Sequence, residues 1–427
     1  MANKELTTER LTLLEAMCAD RRASHPDLHI QKVLQIVRAH LDMDVGFVSE
    51  FSEGRRVFRH ADAKVENSPV VVGNSDPLEE SYCQRVVDGR LPPIIHDATQ
   101  TPAALELPVT TALPVGAHIS VPIRLPDGRL YGTFCCFSFT ADHTLNERDL
   151  RMLRAFAAIA ADLIAAELEL RQDIEQKRAR IQQVLADQSF DIVYQPIYEI
   201  VRDRLTGFEA LTRFRAQPQR PPDQWFNEAA EAGLAVELEF AALRKACASL
   251  DRLPQACSLS LNLSPASMLT GEFKALFDTL PLDRIVLEIT EHAQVESYAA
   301  LDAALAPYRA RGLRLAVDDA GAGHASFRHV LDLRPEIIKL DMSLTRDVGH
   351  DPARHALATA LTMFGRAIGS QIVAEGVETR AELMTLRAIG VTKVQGYVVS
   401  RPISLDAAAA MAPSGAIAEI LRTSNAA

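Results

Sequence analysis

The chain has 427 residues, 48% of them hydrophobic, enough for two or three domains with cores of their own. Its net charge of −11 argues against a nucleic-acid polymer as partner, because phosphate backbones are met by Lys and Arg. Six cysteines without CxxC spacing read as reduced thiols, no apolar run reaches the roughly 18 residues of a membrane span, and the first residues lack a signal-peptide core, so a cytoplasmic protein without membrane insertion is expected.

Residues 1–40 read as helical, with Leu11, Leu14 and Met17, then Val33, Leu34 and Val37, at helical spacing. Strands are expected over 45–50 and 56–60, a loop over 69–77, and a strand over 117–123. Asp127-Gly128 then turns the chain into a second strand over 130–137. Ser120-Val121-Pro122-Ile123, the Asp127-Gly128 turn, Tyr131-Gly132-Thr133-Phe134 and the helix that follows resemble a GAF domain across about 25–165. The resemblance implies a compact α/β sensor for a small molecule and leaves the ligand unknown. Cys83 stands where a chromophore could attach, but Gln84 follows it where bilin-binding relatives often have His, so a semi-buried packing thiol is expected. Cys135 and Cys136, adjacent in a strand, should face opposite sides, and His96 and His118 should make ordinary hydrogen bonds.

Residues 146–188 form one helical pattern free of Gly and Pro. Leu153, Phe156, Ala160, Leu163, Leu170, Ile174, Ile181 and Val184 fall on a heptad seam broken by Glu167 and Lys177. A helix lying on its own domain would give such a stripe. A parallel homodimer, with the helix carrying a signal between domains, is the sharper expectation.

From about 189 short apolar runs alternate with helical stretches. Strands are expected over 192–200, 205–212, 258–264, 285–290, 313–319, 337–342, 371–377 and 393–399, with helices over 222–232, 236–250, 298–311, 352–368 and 380–389. Repeated strand–helix units argue a (β/α)8 TIM-type barrel, modified because the short turn near Arg202-Asp203 makes the first strand antiparallel. The expected organisation is a sensor over 1–145, a connecting helix over 146–188 and the barrel over 189–427. In 258–264 the leucines share one face and Asn262 the other, inward one; Lys339 and Asp341 likewise share a face. Glu209, Glu288, Asp318, Asp319 and Glu375 lie toward strand ends, where barrels build their sites. Carboxylates so gathered need protonation or a hard divalent cation, and oxygen donors with one Asn favour Mg²⁺ or Mn²⁺.

Residues 189–412 resemble the EAL domain, the family of cyclic di-GMP phosphodiesterases. The motifs are Gln195-Pro196-Ile197, Glu209-Ala210-Leu211-Thr212-Arg213, Asn262-Leu263-Ser264, Glu288-Ile289-Thr290-Glu291, Asp318-Asp319, Ile338-Lys339-Leu340-Asp341, Ala374-Glu375-Gly376-Val377-Glu378 and Gln395-Gly396-Tyr397. By that resemblance Glu209, Asn262, Glu288 and Asp318 hold one cation. Asp318 bridges to a second, which Asp319 helps hold. Glu375 orders the water network or acts as base, and Lys339 contacts the attacking water. Arg213 binds a substrate phosphate, Gln195 and Gln395 lie near substrate and metal water, and Glu291 braces the loop after the paired Asp. Two metals activate water and stabilise the leaving oxygen, opening the cyclic dinucleotide to linear pGpG. Ala320-Gly321-Ala322-Gly323-His324-Ala325 departs from the family's usual Phe-Gly-Thr or Ala-Gly-Tyr-Ser and removes packing atoms from that loop. A silent cyclic di-GMP receptor signalling through a dimeric helix is the alternative; a scaffold for protein partners leaves the carboxylates unexplained. No GGDEF sequence is present.

Overall fold

The structure, a computed structural model, describes residues 26–290, 294–321 and 326–422, with only the backbone at 26, 27, 326 and 327. Leu11, Leu14, Met17, Glu291 and residues 322–325 of the altered loop lie outside the described residues. The chain divides into two compact units, one through residue 173 and the other from 174 onward. Among the described residues no helix is long and apolar enough to cross a membrane.

The first unit is built on an antiparallel six-stranded sheet in the order β3-β2-β1-β6-β5-β4. Its strands are β1 (Val45–Ser52), β2 (Arg55–Ala63), β3 (Ser75–Pro77), β4 (Ile94–Ile95), β5 (Ala117–Arg124) and β6 (Leu130–Ser138). β3 falls within the segment expected to be a loop. Alternation divides the sheet between two cores. On one face Ile119, Val121, Phe134 and Cys136 pack against Val33, Leu34 and Val37 of the helix Pro26–Leu41, and against Leu153, Phe156 and Ala160 of the helix Glu147–Ala186. On the other, Phe47, Cys135 and Phe137 meet Tyr82, Cys83 and Leu107. Cys135 and Cys136 therefore do face opposite sides. Cys83 is fully rather than half buried, its sulfur 3.1 Å from Cys135 and 3.1 Å from Arg56 Nη1. His96 Nε2 bonds to the Leu145 carbonyl at 2.9 Å, as expected. His118 packs on the Tyr82 ring and interacts with the buried Cys83 thiol, its ring nitrogens lacking a partner of ordinary hydrogen-bond geometry among the described residues.

The second unit is a closed barrel in the order β10-β11-β12-β13-β14-β7-β8-β9. Its strands are β7 (Phe190–Glu199), β8 (Arg204–Phe214), β9 (Ser258–Asn262), β10 (Ile285–Thr290), β11 (Arg314–Ala320), β12 (Ile337–Leu340), β13 (Gln371–Ala374) and β14 (Lys393–Val394). β8 to β14 run parallel, while β7 is antiparallel to both neighbours. Outward residues such as Leu259, Leu261, Leu287, Leu315 and Leu340 share one core with helical residues including Phe240, Leu243 and Leu383. Ile197, Val286, Ala316, Ile337 and Val373 form a separate apolar cluster from inward positions.

Several strands stop short of the expected ends. β12 ends at Leu340 because Asp341 turns the chain, its carboxylate accepting from Ser343 N at 2.8 Å. β13 ends before Glu375 and β14 before Gln395, each followed by a glycine of positive φ: 59° at Gly376 and 152° at Gly396. A Cβ at Gly396 would lie 2.2 Å from the Val377 carbonyl oxygen.

The heptad seam along Glu147–Ala186 is largely used by the chain itself. Leu153, Phe156 and Ala160 belong to the core of the first unit. Ile181 and Val184 are buried with Trp225, Ala229 and Leu238 of the second. Only the middle is free, with Leu170 half exposed to solvent at 51%. Own-domain packing, not a continuous coiled coil, accounts for most of the stripe; a zipper needs three to four free heptads.

Candidate active site

The carboxyl ends of the parallel strands bring together most of the residues singled out in the sequence. Lys339, 1% exposed, is their centre. Its Nζ lies 2.7 Å from Glu288, 2.7 Å from Glu375, 3.1 Å from Asp318 and 3.4 Å from Glu209. Each comes from a different strand or strand end, so the barrel's closure makes the cluster. Glu209 is further held by Asn262 Nδ2 at 3.0 Å and Gln395 Nε2 at 2.5 Å, and Gln395 Nε2 also donates to Gln195 Oε1 at 3.1 Å.

Asp318 and Asp319 pose a geometric problem, because neighbours in a regular strand point to opposite faces. β11 solves it with an extra residue. Val317 pairs with Ile338 and Ala320 with Leu340, three steps on one strand against two on the other. Asp319 sits in the left-handed region at φ 55°, and its N–H donates to Asp318 Oδ1 at 2.9 Å. This bulge lets both acids reach one site. Gly321 completes the turn at φ 105°, so near Leu344 that a Cβ would lie 2.3 Å from its Cδ1.

Four carboxyl groups around one ammonium would, if all were ionised, leave an excess of three negative charges in a buried space. Burial pushes the Glu288 carboxyl up to about 8, with Glu209 and Asp318 adding repulsion. Burial, then Asp318, pushes Glu375 well above the carboxylate range. Burial also acts on Glu209, but Lys339 and the amides of Gln395 and Asn262 outweigh it and hold this carboxyl low. Against burial, the four acids hold the Lys339 ammonium well above its ordinary range.

The donor set fits divalent cations. Oxygens of Glu209, Glu288 and Asp318 lie within 4.8 Å of one another, as do oxygens of Asp318, Asp319 and Glu375, so Asp318 is common to two three-carboxylate groups. All donors are hard oxygens, suited to Mg²⁺ or Mn²⁺. Gln395 Oε1 is buried without a donor among the described residues, an acceptor suited to a bound water.

Two cavities adjoin the cluster. One, of about 270 Å³, is lined by Gln195, Glu209, Asp319, Asp341, Glu375 and Tyr397. The other, of about 340 Å³, is lined by Ile192, Leu211, Arg213, Phe226, Asn262 and Thr290. Arg213 is exposed and apart from the acids, and its Nη1 donates to the Thr212 carbonyl at 2.9 Å. The sequence reading missed three contributors: Phe226 in the second wall, Glu239, which accepts from Ser264 Oγ at 2.9 Å, and Arg401, stacked 4.3 Å over the Tyr397 ring. The Ser264-Pro265 helix start was a visible signal for Ser264. Nothing in the spacing of Phe226, Glu239 or Arg401 points to the mouth.

Comparisons with known proteins identify both domains. The sequence model of the EAL domain matches residues 178–402, and that of the GAF domain residues 29–165. A cyclic di-GMP phosphodiesterase of Pseudomonas aeruginosa is 31% identical over 236 residues, covering 52% of this chain and 40% of that protein. A probable cyclic di-GMP phosphodiesterase of Escherichia coli is 30% identical over 231 residues, 51% of this chain and 44% of that one. The chain thus spans less than half the length of these curated relatives. A solved EAL enzyme with cGMP bound shares the fold, with a TM-score of 0.52 at 17% identity, over 85% of this chain and 91% of that one.

Proposed function

This chain belongs to the EAL domain family, and on that premise we propose that it hydrolyses cyclic di-GMP to linear pGpG in a reaction that depends on divalent cations and is regulated by the GAF domain. The observation that carries the reading is the convergence of Glu209, Glu288, Asp318 and Glu375 on Lys339, with Asp319 brought alongside by the β11 bulge. Receptors that have lost catalysis have little use for a complete set of buried acids, which is expensive to keep.

Glu209, Asn262, Glu288 and Asp318 would hold one Mg²⁺ or Mn²⁺, and Asp318 with Asp319 a second. When bound, such a pair supplies a water of lowered pKa and charge for the leaving oxygen. Arg213 takes a phosphate at the second cavity, where Ile192 and Phe226 give a base an apolar wall. Lys339 Nζ orients the attacking water toward phosphorus, and Glu375, whose ionised form bound cations would favour by offsetting the repulsion from Asp318, takes its proton. Water oxygen joins phosphorus, the P–O bond to the ribose 3′ oxygen breaks, and that oxygen takes a proton from bulk water while Glu375 returns its own to solvent. Gln195 and Gln395 fix the near wall through their mutual hydrogen bond. Glu291 is assigned the bracing of the loop after Asp319.

Regulation and a homodimer belong to the same proposal. The helix Glu147–Ala186 connects the two domains, and Leu170 is the large apolar residue exposed on it. The test is incubation of purified protein with cyclic di-GMP in Mg²⁺, Mn²⁺ or chelator, with pGpG measured by chromatography. Metal-dependent pGpG supports the reading. Tight binding of cyclic di-GMP without pGpG in either metal replaces it with the silent receptor.

A further inference from the structure

The opposite mouth of the barrel carries the reverse charge. Inward positions alternate along the strands, so β11 presents Arg314, Ala316 and Asp318, and β13 presents Gln371, Val373 and Glu375. The acids occupy the carboxyl-end mouth, the cluster of Ile197, Val286, Ala316, Ile337 and Val373 fills the middle, and the amino-end mouth is left to a third layer. There the lining of a cavity of about 420 Å³ includes five cations, Arg202, Arg204, Arg284, Arg314 and Lys393, against two carboxylates, Glu199 and Asp283.

An ordinary barrel floor of ion pairs would match its charges. This one does not. Glu199 is shared by Arg202 at 3.2 Å and Arg204 at 3.1 Å. Arg284 donates to the carbonyls of Cys257, Leu253 and Pro254 and to the Gln255 amide rather than to a carboxylate. Arg314 and Lys393, both half buried, make no side-chain hydrogen bond or ion pair with another described residue. Burial depresses both and outweighs the attraction of Glu336 and Asp283 for Arg314 and of Glu199 for Lys393, and repulsion from Arg314 and Arg204 helps bring Lys393 down to about 8. Cations kept out of water and near one another need an anion.

We propose that the amino-end mouth of the barrel binds a small phosphorylated anion through Arg314, Lys393 and Arg204. The volume lies within the range of small-molecule sites, with space for a mononucleotide beyond the phosphates. Free pyrophosphate and a nucleoside triphosphate share the chemistry this site recognises. The site is separate from the acid cluster and stands whether or not the chain hydrolyses cyclic di-GMP.

The test titrates the full chain, in low-salt buffer with chelator, with pyrophosphate and separately with GTP, by calorimetry and by thermal melting followed at Trp225, the chain's one tryptophan. Saturable binding of one equivalent per chain is expected, with a rise in melting temperature. The double variant Arg314→Gln/Lys393→Gln should bind at least tenfold more weakly, yet melt without ligand at the same temperature as the parent or higher, since it removes repulsion. Equal affinity for the two ligands assigns recognition to the phosphates; tenfold tighter GTP extends the site to the nucleoside. The proposal is overturned by absence of saturable binding to the parent, by unchanged binding in the double variant, or by stabilisation that potassium chloride reproduces at equal ionic strength. An unliganded double variant that melts early or does not fold also overturns it, by showing these cations to be structural.

Discussion

Lys339 is the residue whose loss should be felt most widely, and its effect can be sized from its surroundings. Lys339→Met keeps nearly the same volume and removes the one ammonium among Glu209, Glu288, Asp318 and Glu375, all within 3.4 Å of it. Removing one partner from a buried ion pair costs about 3–5 kcal/mol, because the charge left behind is uncompensated. That is a large part of a typical total of about 5–15 kcal/mol. For a domain the size of the barrel each kcal/mol moves the midpoint by about 2–4 °C, which places the loss at about 6–20 °C. Trp225 is fully buried in the barrel unit, so its fluorescence follows that unit and not the first one. In chelator the variant should melt that far below the parent. Mn²⁺ should then raise its midpoint more than the parent's, because added positive charge substitutes for the missing ammonium. The variant should form no pGpG, since Met offers no donor to the attacking water. A chelated variant melting with the parent, or one that Mn²⁺ stabilises no more than the parent, would refute the idea that Lys339 holds the acids together by charge.

Glu209→Ala should abolish pGpG formation while costing only about 1–3 kcal/mol, the penalty of leaving the amides of Gln395 and Asn262 without their acceptor; near-parental turnover would remove Glu209 from the site. Lys393 is held down to about 8 when folded against about 10.4 unfolded, so the unfolded chain binds more protons between those values and stability should rise with pH across that window. The rise should reach about 3 kcal/mol relative to Lys393→Met, measured by urea unfolding at pH 7 and 10.5, and a constant difference would show that Lys393 is not under strain. Leu170→Asp should lower the mass found by light scattering if copies meet along the helix; an unchanged dimer places the interface elsewhere.

Period-two reading worked where strands are regular. It put Asn262 on the inward face and the leucines of β9 outward, and both are found so. It could not account for Asp318 and Asp319 together, since their convergence depends on a bulge and a left-handed residue that alternation does not encode. Strand ends were overrun wherever a local device stops the strand: the Asp341 cap, Gly376 and Gly396. The helix seam is ambiguous for another reason. Leu153 and Val184 show the spacing of a zipper, but that spacing equally serves a helix whose ends lie on separate cores of the same chain. The basic mouth was invisible because Arg202, Arg314 and Lys393 are far apart in sequence and meet only when the barrel closes.

The reversed first strand changes where the chain enters the barrel. In an all-parallel barrel the incoming segment arrives at the amino-end mouth. Here β7 begins at Phe190, paired with Phe214 at the carboxyl end of β8, and Ser189 is tied to Arg215 by a backbone hydrogen bond of 2.9 Å. The helix that ends at Ala186 therefore delivers the polypeptide at the acidic rim. Under the proposed regulation, a displacement along that helix would reach first the hairpin that carries Gln195 and Glu209, without passing through the apolar middle layer.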